Sequence, residues 1–276
     1  MNTTNTTPTP QVFRGCLRII SAGAAQSLVL SLTDLINRGA NSQALQLHAS
    51  FGAVGAMVDL FKAELAQISQ GSSLMPCDLM ISSQGILAAL GHEGLVQAST
   101  LSPLGLVSTG LARLGSDTSA IWGACPPNAN ASDHLVQTLK SATHIYIPDP
   151  IKSTAGIHVK AVLTRLGLWE SSASKLQSFP NGAAAMAQLA KDARPGALGC
   201  TQKTEILFTQ GVEWVEPLPE EHALKTLYSV VRCLDDSSAH SSTEQVTLAQ
   251  AFLDQLVSPE LAELRAESGF EQLGAE

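Results

Sequence analysis

Short apolar runs alternate along the chain with longer segments whose apolar residues recur at helical spacing. The runs at 17–23, 45–53 and 77–83 are each bounded by Gly, Ser, Asn or Pro, and a helical pattern follows each of them. Strands that alternate with helices in this way are typical of an α/β fold with mainly parallel sheets. The sequence therefore predicts that fold class from residue 17 onward.

Two further apolar stretches, at 101–112 and 224–233, interrupt this alternation and read as strands that pass from one sheet to another. They predict two lobes joined by a pair of crossing strands that act as a hinge. Lobe I is expected to be discontinuous, with residues 17–104 and 225–276, and lobe II to comprise 105–224. Residues 1–16 are expected to form a disordered leader.

The segment 145–176 is the most informative part of the chain. Its apolar strand ends in the turn Pro148-Asp149-Pro150, and Ser153 or Thr154 is placed to cap a helix that Gly167 ends. A strand-to-helix turn of this kind points backbone N–H groups outward, where they can hold an anion. The predicted core face of this helix comprises Ile157, Ala161, Val162 and Leu166.

Composition narrows the possible partners. The formal net charge is −8 and no long basic run is present, which argues against nucleic acid as a partner. No segment reaches the roughly 18 apolar residues that a membrane-spanning helix needs. The opening MNTTNTTPTP has neither a basic nor an apolar region, so it does not read as a secretory signal. The sequence as it stands predicts a cytoplasmic protein, or a periplasmic one if the natural N-terminus differs.

The five cysteines are widely spaced and include no Cys-x-x-Cys pair. This spacing does not favour a disulfide framework or a structural zinc site. The chain also lacks the nucleotide-binding, zinc-protease and serine-hydrolase motifs. No metal and no cofactor are expected.

Several segments occur in the order found in a known family: RIISAGAAQSL, ASFGAVGAM, PCDLMISS, PDPIKSTAGIHVKAVLTRLGLW, NGAAAMAQL and GALGCTQKTEI. The chain resembles the periplasmic molybdate-binding proteins, within the bacterial extracellular solute-binding proteins of the type 2 periplasmic-binding-protein fold. The resemblance covers about residues 17–272. It implies two lobes, each a mainly parallel sheet flanked by helices, that close on a small anion.

The resemblance also implies which positions meet the ligand. The family's contacts fall on Ala24, Ala53, Val54, Thr154, Ala155, Gly182, Ala183 and Gly199. If the alignment of the first turn slips, Gln26 and Ser27 supply its hydroxyl or amide. Lys152, Ser153, Thr201, Gln202 and Lys203 lie beside these positions and complete the set of ligand-binding candidates.

The expected ligand follows from what the family positions lack. Hydroxyl groups are missing at Ala24 and in the second turn, 51–55, whereas Lys152 and Lys203 lie near the proposed cleft. An ammonium group suits a carboxylate better than an oxyanion held by neutral donors. An organic di- or tricarboxylate is therefore expected in preference to molybdate. The alternative is that both lysines are solvated surface residues.

Two functions remain open from the sequence. One is a solute-binding protein, whose partner would be an ABC permease only if the chain is exported. The other is a cytoplasmic isomerase that shifts or rotates a double bond in an unsaturated polycarboxylate, with Lys203, Lys152 and His158 as candidate catalytic residues. For His158 the alternative is a partly buried histidine on the inner face of its helix.

Overall fold

The structure is a computed structural model that describes residues 13, 15–38, 44–119, 130–233 and 242–273. Its strands are β1 (Cys16–Ala22), β2 (Gln46–Gly52), β3 (Leu79–Ser83), β4 (Ser102–Leu114), β5 (Ile145–Pro148), β6 (Leu176–Phe179), β7 (Leu198–Gln202), β8 (Val212–Pro217) and β9 (Lys225–Arg232). Its α-helices are α1 (Gln26–Arg38), α2 (Val54–Ser69), α3 (Gln84–His92), α4 (Ala131–Ser141), α5 (Thr154–Arg165), α6 (Gly182–Asp192), α7 (Lys203–Phe208), α8 (Thr243–Val257) and α9 (Ala262–Glu267).

The described strands are hydrogen-bonded in the order β2-β1-β3-β9-β4-β7-β5-β6, and β8 pairs with β4. Strands β2, β1 and β3 are parallel, and so are β6, β5 and β7. The strands between these two groups, β9 and β4, run antiparallel to their neighbours. The mixed α/β fold expected from the sequence is confirmed, with a mainly parallel sheet in each half.

Strand β4 joins the two halves. Residues 102–108 pair with β9, and residues 109–114 pair with β7 and β8. The long β4 and the returning β9 correspond to the two crossing strands predicted at 101–112 and 224–233. The predicted lobe boundary at residue 104 falls inside β4, and we keep the names lobe I and lobe II for the two halves.

Each lobe has its own apolar core. In lobe I, α1 and α8 cover one face of the sheet, with Leu28 and Phe252 fully buried. The opposite face is covered by α2 and α3, where Phe61 and Leu87 pack on Met80. In lobe II, two further clusters form around Ile145 and Tyr146, on opposite faces of β5. Because both faces of each sheet are covered, the turns at the strand ends are held in fixed positions.

The structure corrects the predicted core face of α5. Ile157 is 49% exposed and Ala161 is also exposed, whereas Val159 and Leu163 are buried beside Val162. The helix begins at Thr154, one residue after its Ser153 cap, and its apolar stripe is centred on positions 155, 159, 162 and 163. Gly167 follows the helix with φ +68°, so its predicted role in ending the helix is confirmed.

The sequence pattern missed two strands, β6 and β8. Both are short, at four and six residues, and several of their residues are charged or polar. The predicted leader, residues 1–16, lies almost wholly outside the described residues. Within the described part of the chain, no helix has the length and apolar character to cross a membrane.

Four of the five cysteines lie in the described ranges, and all four are free thiols. Two of them are neighbours, since the Sγ atoms of Cys77 and Cys233 are 3.6 Å apart at one end of lobe I. Their proximity arises because Cys77 precedes β3 and Cys233 follows the antiparallel β9.

Candidate functional site

Several helix starts of the two lobes come together between the lobes. In lobe I, a 3-10 turn at Gly23–Ala25 leads from β1 into α1, and Ala53 leads from β2 into α2. In lobe II, α5, α6 and α7 follow the carboxyl ends of β5, β6 and β7. The first backbone N–H groups of a helix have no partner within the helix and carry its positive dipole end. The arrangement therefore favours negative charge between the lobes.

One negative group already occupies this space. The Glu205 side chain, on α7, accepts a hydrogen bond from Gly182 N at 3.1 Å and from Thr201 Oγ1 at 2.6 Å. The backbone N–H groups of Ala183 and Gln202 also face its carboxylate and lower its pKa. Glu205 is only 5% exposed. Three backbone amides and one hydroxyl thus form a cradle for a carboxylate at the starts of α6 and α7.

Small residues make this cradle possible. A methyl group on Gly182 would overlap the Glu205 carboxylate and the Thr201 hydroxyl. From the other lobe, a methyl group on Gly23 would lie 2.9 Å from Glu205 Oε1, closer than such atoms normally approach. Glycine at these two positions lets the backbone of both lobes come close to one carboxylate. We call Gly23, Gly182, Ala183, Thr201 and Glu205 the inner corner of the cleft.

Two effects of opposite sign act on the pKa of the Glu205 carboxyl in the inner corner. Burial raises the pKa of Glu205, because the ionised form loses its hydration, while the hydrogen bonds from Thr201 and the three amides lower it. Burial prevails, so the pKa is raised above its ordinary value. Among the described residues, no lysine, arginine or histidine pairs with this carboxylate.

A second buried polar group adjoins the inner corner. Tyr228, on β9, donates its hydroxyl to Gln202 Oε1 at 2.8 Å and also contacts the Thr154 side chain. Its pKa is raised by burial and by the charge of Glu205. Gln202 is 3% exposed, and its Nε2 has no hydrogen-bond partner within the described residues. A buried donor without a partner is costly, and a ligand oxygen could satisfy it.

The other side of the cleft, which we call the outer corner, comprises Gly55, Asp59 and Lys152. Gly55 N, on α2, donates to Lys152 O at 3.0 Å and so joins the two lobes directly. Lys152 Nζ forms an ion pair with Asp59 Oδ2 at 2.9 Å, and the two side chains are 52% and 67% exposed. The pair raises the pKa of Lys152. This corner is open to solvent, unlike the inner one.

The structure brings together five of the predicted ligand-binding residues around Glu205 and Tyr228: Thr154, Gly182, Ala183, Thr201 and Gln202. Ala24 lies in the turn beside Gly23, and Gln26 and Ser27 begin α1 half-buried. Ala53 and Val54 begin α2 next to the outer corner. Ser153 caps α5 through Gly156 N, and Ala155 is buried behind it.

Gly199 is not brought to the cleft. Its Cα faces Met186 and Leu189 in the core of lobe II, on the side of β7 opposite to Cys200. Alternate residues of a strand point to opposite faces, so a position one residue away along β7 has a different environment. Thr201 and Gln202, at the carboxyl end of the same strand, reach the inner corner instead.

The three candidate catalytic residues do not converge. Lys152 is paired with Asp59, Lys203 Nζ lies over the Trp214 ring at 5.7 Å, and His158 Nε2 lies 2.7 Å from His222 O. Each engages a different partner, and none contacts Glu205. The structure therefore shows, within its described residues, no contact that brings the three side chains together.

Sequence reasoning missed Glu205 and Tyr228. Glu205 is four residues after Thr201, which places the two side chains together once Lys203 begins a helix. A signal was present, because Glu205 is the only acidic residue in the segment TEILF. Tyr228 is one of just two tyrosines in the chain and lies in a strand correctly expected to cross between the lobes.

No group of three or more His, Cys, Asp or Glu side chains that could hold a metal ion occurs within the described residues. The polar groups of the cleft are mostly donors: backbone amides, the Thr201 hydroxyl and the Gln202 amide. Such a donor set matches an anion better than a cation.

Two α/β lobes, two crossing strands and helix starts directed into the space between them define the class of hinged solute-binding proteins. The sequence profile of the family described as bacterial extracellular solute-binding protein matches residues 20–271. The chain belongs to that family, as the sequence resemblance predicted.

Individual relatives are more distant. The chain is 27% identical to the molybdate-binding protein ModA of Escherichia coli K12 over 133 residues, which is about half the length of each protein. Its fold is similar to the periplasmic molybdate-binding protein of Azotobacter vinelandii, with a TM-score of 0.64, 15% identity and coverage of 94% and 100% of the two chains. Its fold is also similar to Campylobacter jejuni PEB3 bound to L-phospholactate, with a TM-score of 0.59, 12% identity and coverage of 93% and 100% of the two chains.

Proposed function

We propose that the chain is a solute-binding protein that takes up a small anion between its two lobes. The observation that carries this proposal is the cradle of the inner corner, where amides from two helix starts and the Thr201 hydroxyl hold a buried negative group that pairs with no cation of the described residues. Family membership and the anions named for the related proteins support the same conclusion.

We further propose that the anion is an organic di- or tricarboxylate in preference to molybdate. The cradle holds a carboxylate in the ligand-free structure, so its donor geometry suits that group. Neither Ala24 nor the turn at 51–55 carries a hydroxyl group, although Ser50 directly precedes that turn. Lys152 and Lys203 were part of the sequence argument, but both have other partners, so the proposal no longer rests on them.

Export and an ABC permease as partner remain proposals that depend on the natural N-terminus. The isomerase alternative has no specific observation in its favour, because its three candidate residues lie with separate partners. The experiment below therefore includes a test for turnover.

The test is a thermal-shift screen of the purified chain with molybdate, tungstate, sulfate, phosphate, fumarate, malate, citrate and cis-aconitate. Calorimetry then measures the affinity of each stabilising anion. A ligand that binds only the native state raises its melting temperature by mass action. The proposal expects a shift with at least one carboxylate, and stabilisation by molybdate or tungstate alone would contradict the carboxylate preference.

Two variants locate the site. Ala183→Pro removes an N–H group that faces the cradle, and proline is tolerated in the first turn of a helix. Ala131→Pro places proline in the first turn of α4, away from the cleft, and serves as the control. The first variant should weaken binding, because it removes a donor that stabilises negative charge at the inner corner, and the control should not. Recovery of unaltered ligand by NMR would exclude turnover.

A further inference from the structure

The inner corner has a property that the proposed function alone does not require: its amides are already filled by the protein's own carboxylate. Glu205 accepts from Gly182 N and Thr201 Oγ1, and it lies against Gly23 of the other lobe. An anion that binds between the lobes at this corner must therefore come into contact with a second, buried negative group.

Two negative groups in direct contact in a water-excluded site repel strongly, because the low local dielectric screens little of their interaction. Two carboxylates that share such a site resolve the conflict by sharing one proton. The alternative resolution, a neighbouring cation, is not provided here by any described residue. The proton has to come from solvent or be carried by the ligand.

We propose that Glu205 makes anion binding in this cleft depend on one proton, which is shared between the Glu205 carboxyl and the bound anion. Glu205 is then the residue that sets specificity: it favours anions that bring a hydrogen or readily share one, and it weakens the binding of fully deprotonated anions as pH rises. This inference rests on the proposed function, since it specifies which anions the same cleft accepts.

The groups around Glu205 support this role. The raised pKa that burial gives the Glu205 carboxyl makes it the readier acceptor of the proton. Tyr228 faces it from β9, and burial together with the Glu205 charge raises the Tyr228 pKa, so the phenol stays protonated and cannot be the group that titrates. Thr201, Thr154 and Gln202, which complete the surroundings, do not titrate.

The other titratable groups of α7 and β7 face elsewhere. On α7 itself, Lys203 lies over Trp214. On β7, burial raises the pKa of Cys200 to about 12, and its side chain packs into the core of lobe II. The remaining charged residues of the two helices packed nearest lie in their later turns: Asp34 and Arg38 on α1, and Lys191 and Asp192 on α6.

The experiment is calorimetric titration of the wild-type chain with molybdate, sulfate and phosphate. Each titration is done in two buffers of different ionisation enthalpy at about pH 6 and about pH 8, which gives the protons taken up per anion bound. Molybdate and sulfate should take up about one proton above the Glu205 pKa, and their affinity should fall about tenfold per pH unit there. Hydrogen phosphate, which carries its own hydrogen, should need no uptake.

Glu205→Gln supplies the matched variant, because the amide keeps the size of the side chain and removes its charge. It should bind molybdate at least about tenfold more tightly than wild type at about pH 8, with no proton uptake and little pH dependence. If this variant does not fold, as judged by circular dichroism, the wild-type proton count still decides the question.

The outcomes separate the two proposals. Wild-type binding of molybdate or sulfate at about pH 8 without proton uptake would overturn the inference and leave the proposed function intact. If neither protein binds any anion of the thermal-shift screen at either pH, the proposed function fails and the role assigned to Glu205 fails with it.

Discussion

At the inner corner of the cleft a carboxylate is buried and held by neutral donors, whereas at the outer corner a carboxylate is exposed and paired with a lysine. Glu205 accepts from Gly182 N and Thr201 Oγ1 at 5% exposure, while Asp59 meets Lys152 with both side chains more than half exposed. A buried group without hydration depends on each of its hydrogen bonds, and an exposed ion pair does not. Changes at the inner corner should therefore have the larger effects.

The largest effect is expected for Gly182→Ala. The new methyl group overlaps the Glu205 carboxylate and the Thr201 hydroxyl, so it must push the carboxylate out of the cradle. Overpacking of this kind costs about 1–3 kcal/mol in the free energy of unfolding, measured by urea denaturation, and the hydrogen bonds that the displaced carboxylate loses add to this cost. Gly85→Ala, in the first turn of α3 with open space around it, is the control and should be neutral or slightly stabilising. Equal effects at the two glycines would refute the close packing of the inner corner.

Thr201→Val should follow in size. It removes a hydroxyl that donates to a buried carboxylate at 2.6 Å, a charge-assisted bond that contributes about 1.5–3 kcal/mol. The control is Thr226→Val, because Thr226 Oγ1 is equally buried and has no partner within the described residues, so its loss should cost little. The loss from Thr201→Val should shrink at low pH, where Glu205 is protonated. A loss that stays constant with pH would contradict the assigned partner.

A smaller effect is expected in how the free energy of unfolding changes with pH, compared between wild type and Glu205→Gln. Because the folded-state pKa of Glu205 is raised, the native state binds more protons than the unfolded chain between the ordinary and the raised values. The stabilisation that this proton binding gives the native state is fully present below the ordinary pKa of a glutamate and is lost as pH rises through the raised pKa of Glu205. Relative to wild type, Glu205→Gln should therefore gain stability as pH rises, in urea denaturation series. A parallel pair of pH profiles would show that the pKa is not raised.

The smallest effect is expected at the outer corner. Lys152→Met breaks an exposed ion pair, which contributes little to stability in water. The melting temperature should change no more than in Lys62→Met, which breaks a comparable exposed pair with Glu93 inside lobe I. Anion affinity should stay within about twofold of wild type, because neither partner reaches the inner corner. A loss of binding specific to Lys152→Met would move the site to the outer corner.

The sequence was sufficient for the architecture because the alternation of apolar strands and helices repeats at each unit. The crossing strands, the turn at Asp149 and the end of α5 at Gly167 follow from local patterns that the structure retains. The short polar strands β6 and β8 carry little apolar signal, and the core face of α5 was misplaced by part of a turn.

The site was harder to predict, because its main group is defined by tertiary contacts. Thr154, Gly182 and Ala183 were predicted as ligand contacts from the family resemblance, and Thr201 and Gln202 from their positions beside it. Glu205 was not predicted, because a single acidic residue in TEILF does not by itself show a contact with α6 and Gly23. The two lysines were assigned from their charge and from their positions beside the TAG helix start and the GCTQ segment, and neither signal shows their contacts with Asp59 and Trp214.

The central claim is that the bound anion meets the Glu205 carboxyl at the inner corner. The most direct measurement is the carbon-13 resonance of that carboxyl, assigned by its absence in Glu205→Gln, followed during titration with the anion that gives the largest thermal shift. Saturation with the anion should move this resonance and raise the pKa of the Glu205 carboxyl, because a second negative group then adjoins it. A Glu205 resonance that keeps its position and pKa while the anion saturates the protein would contradict the account.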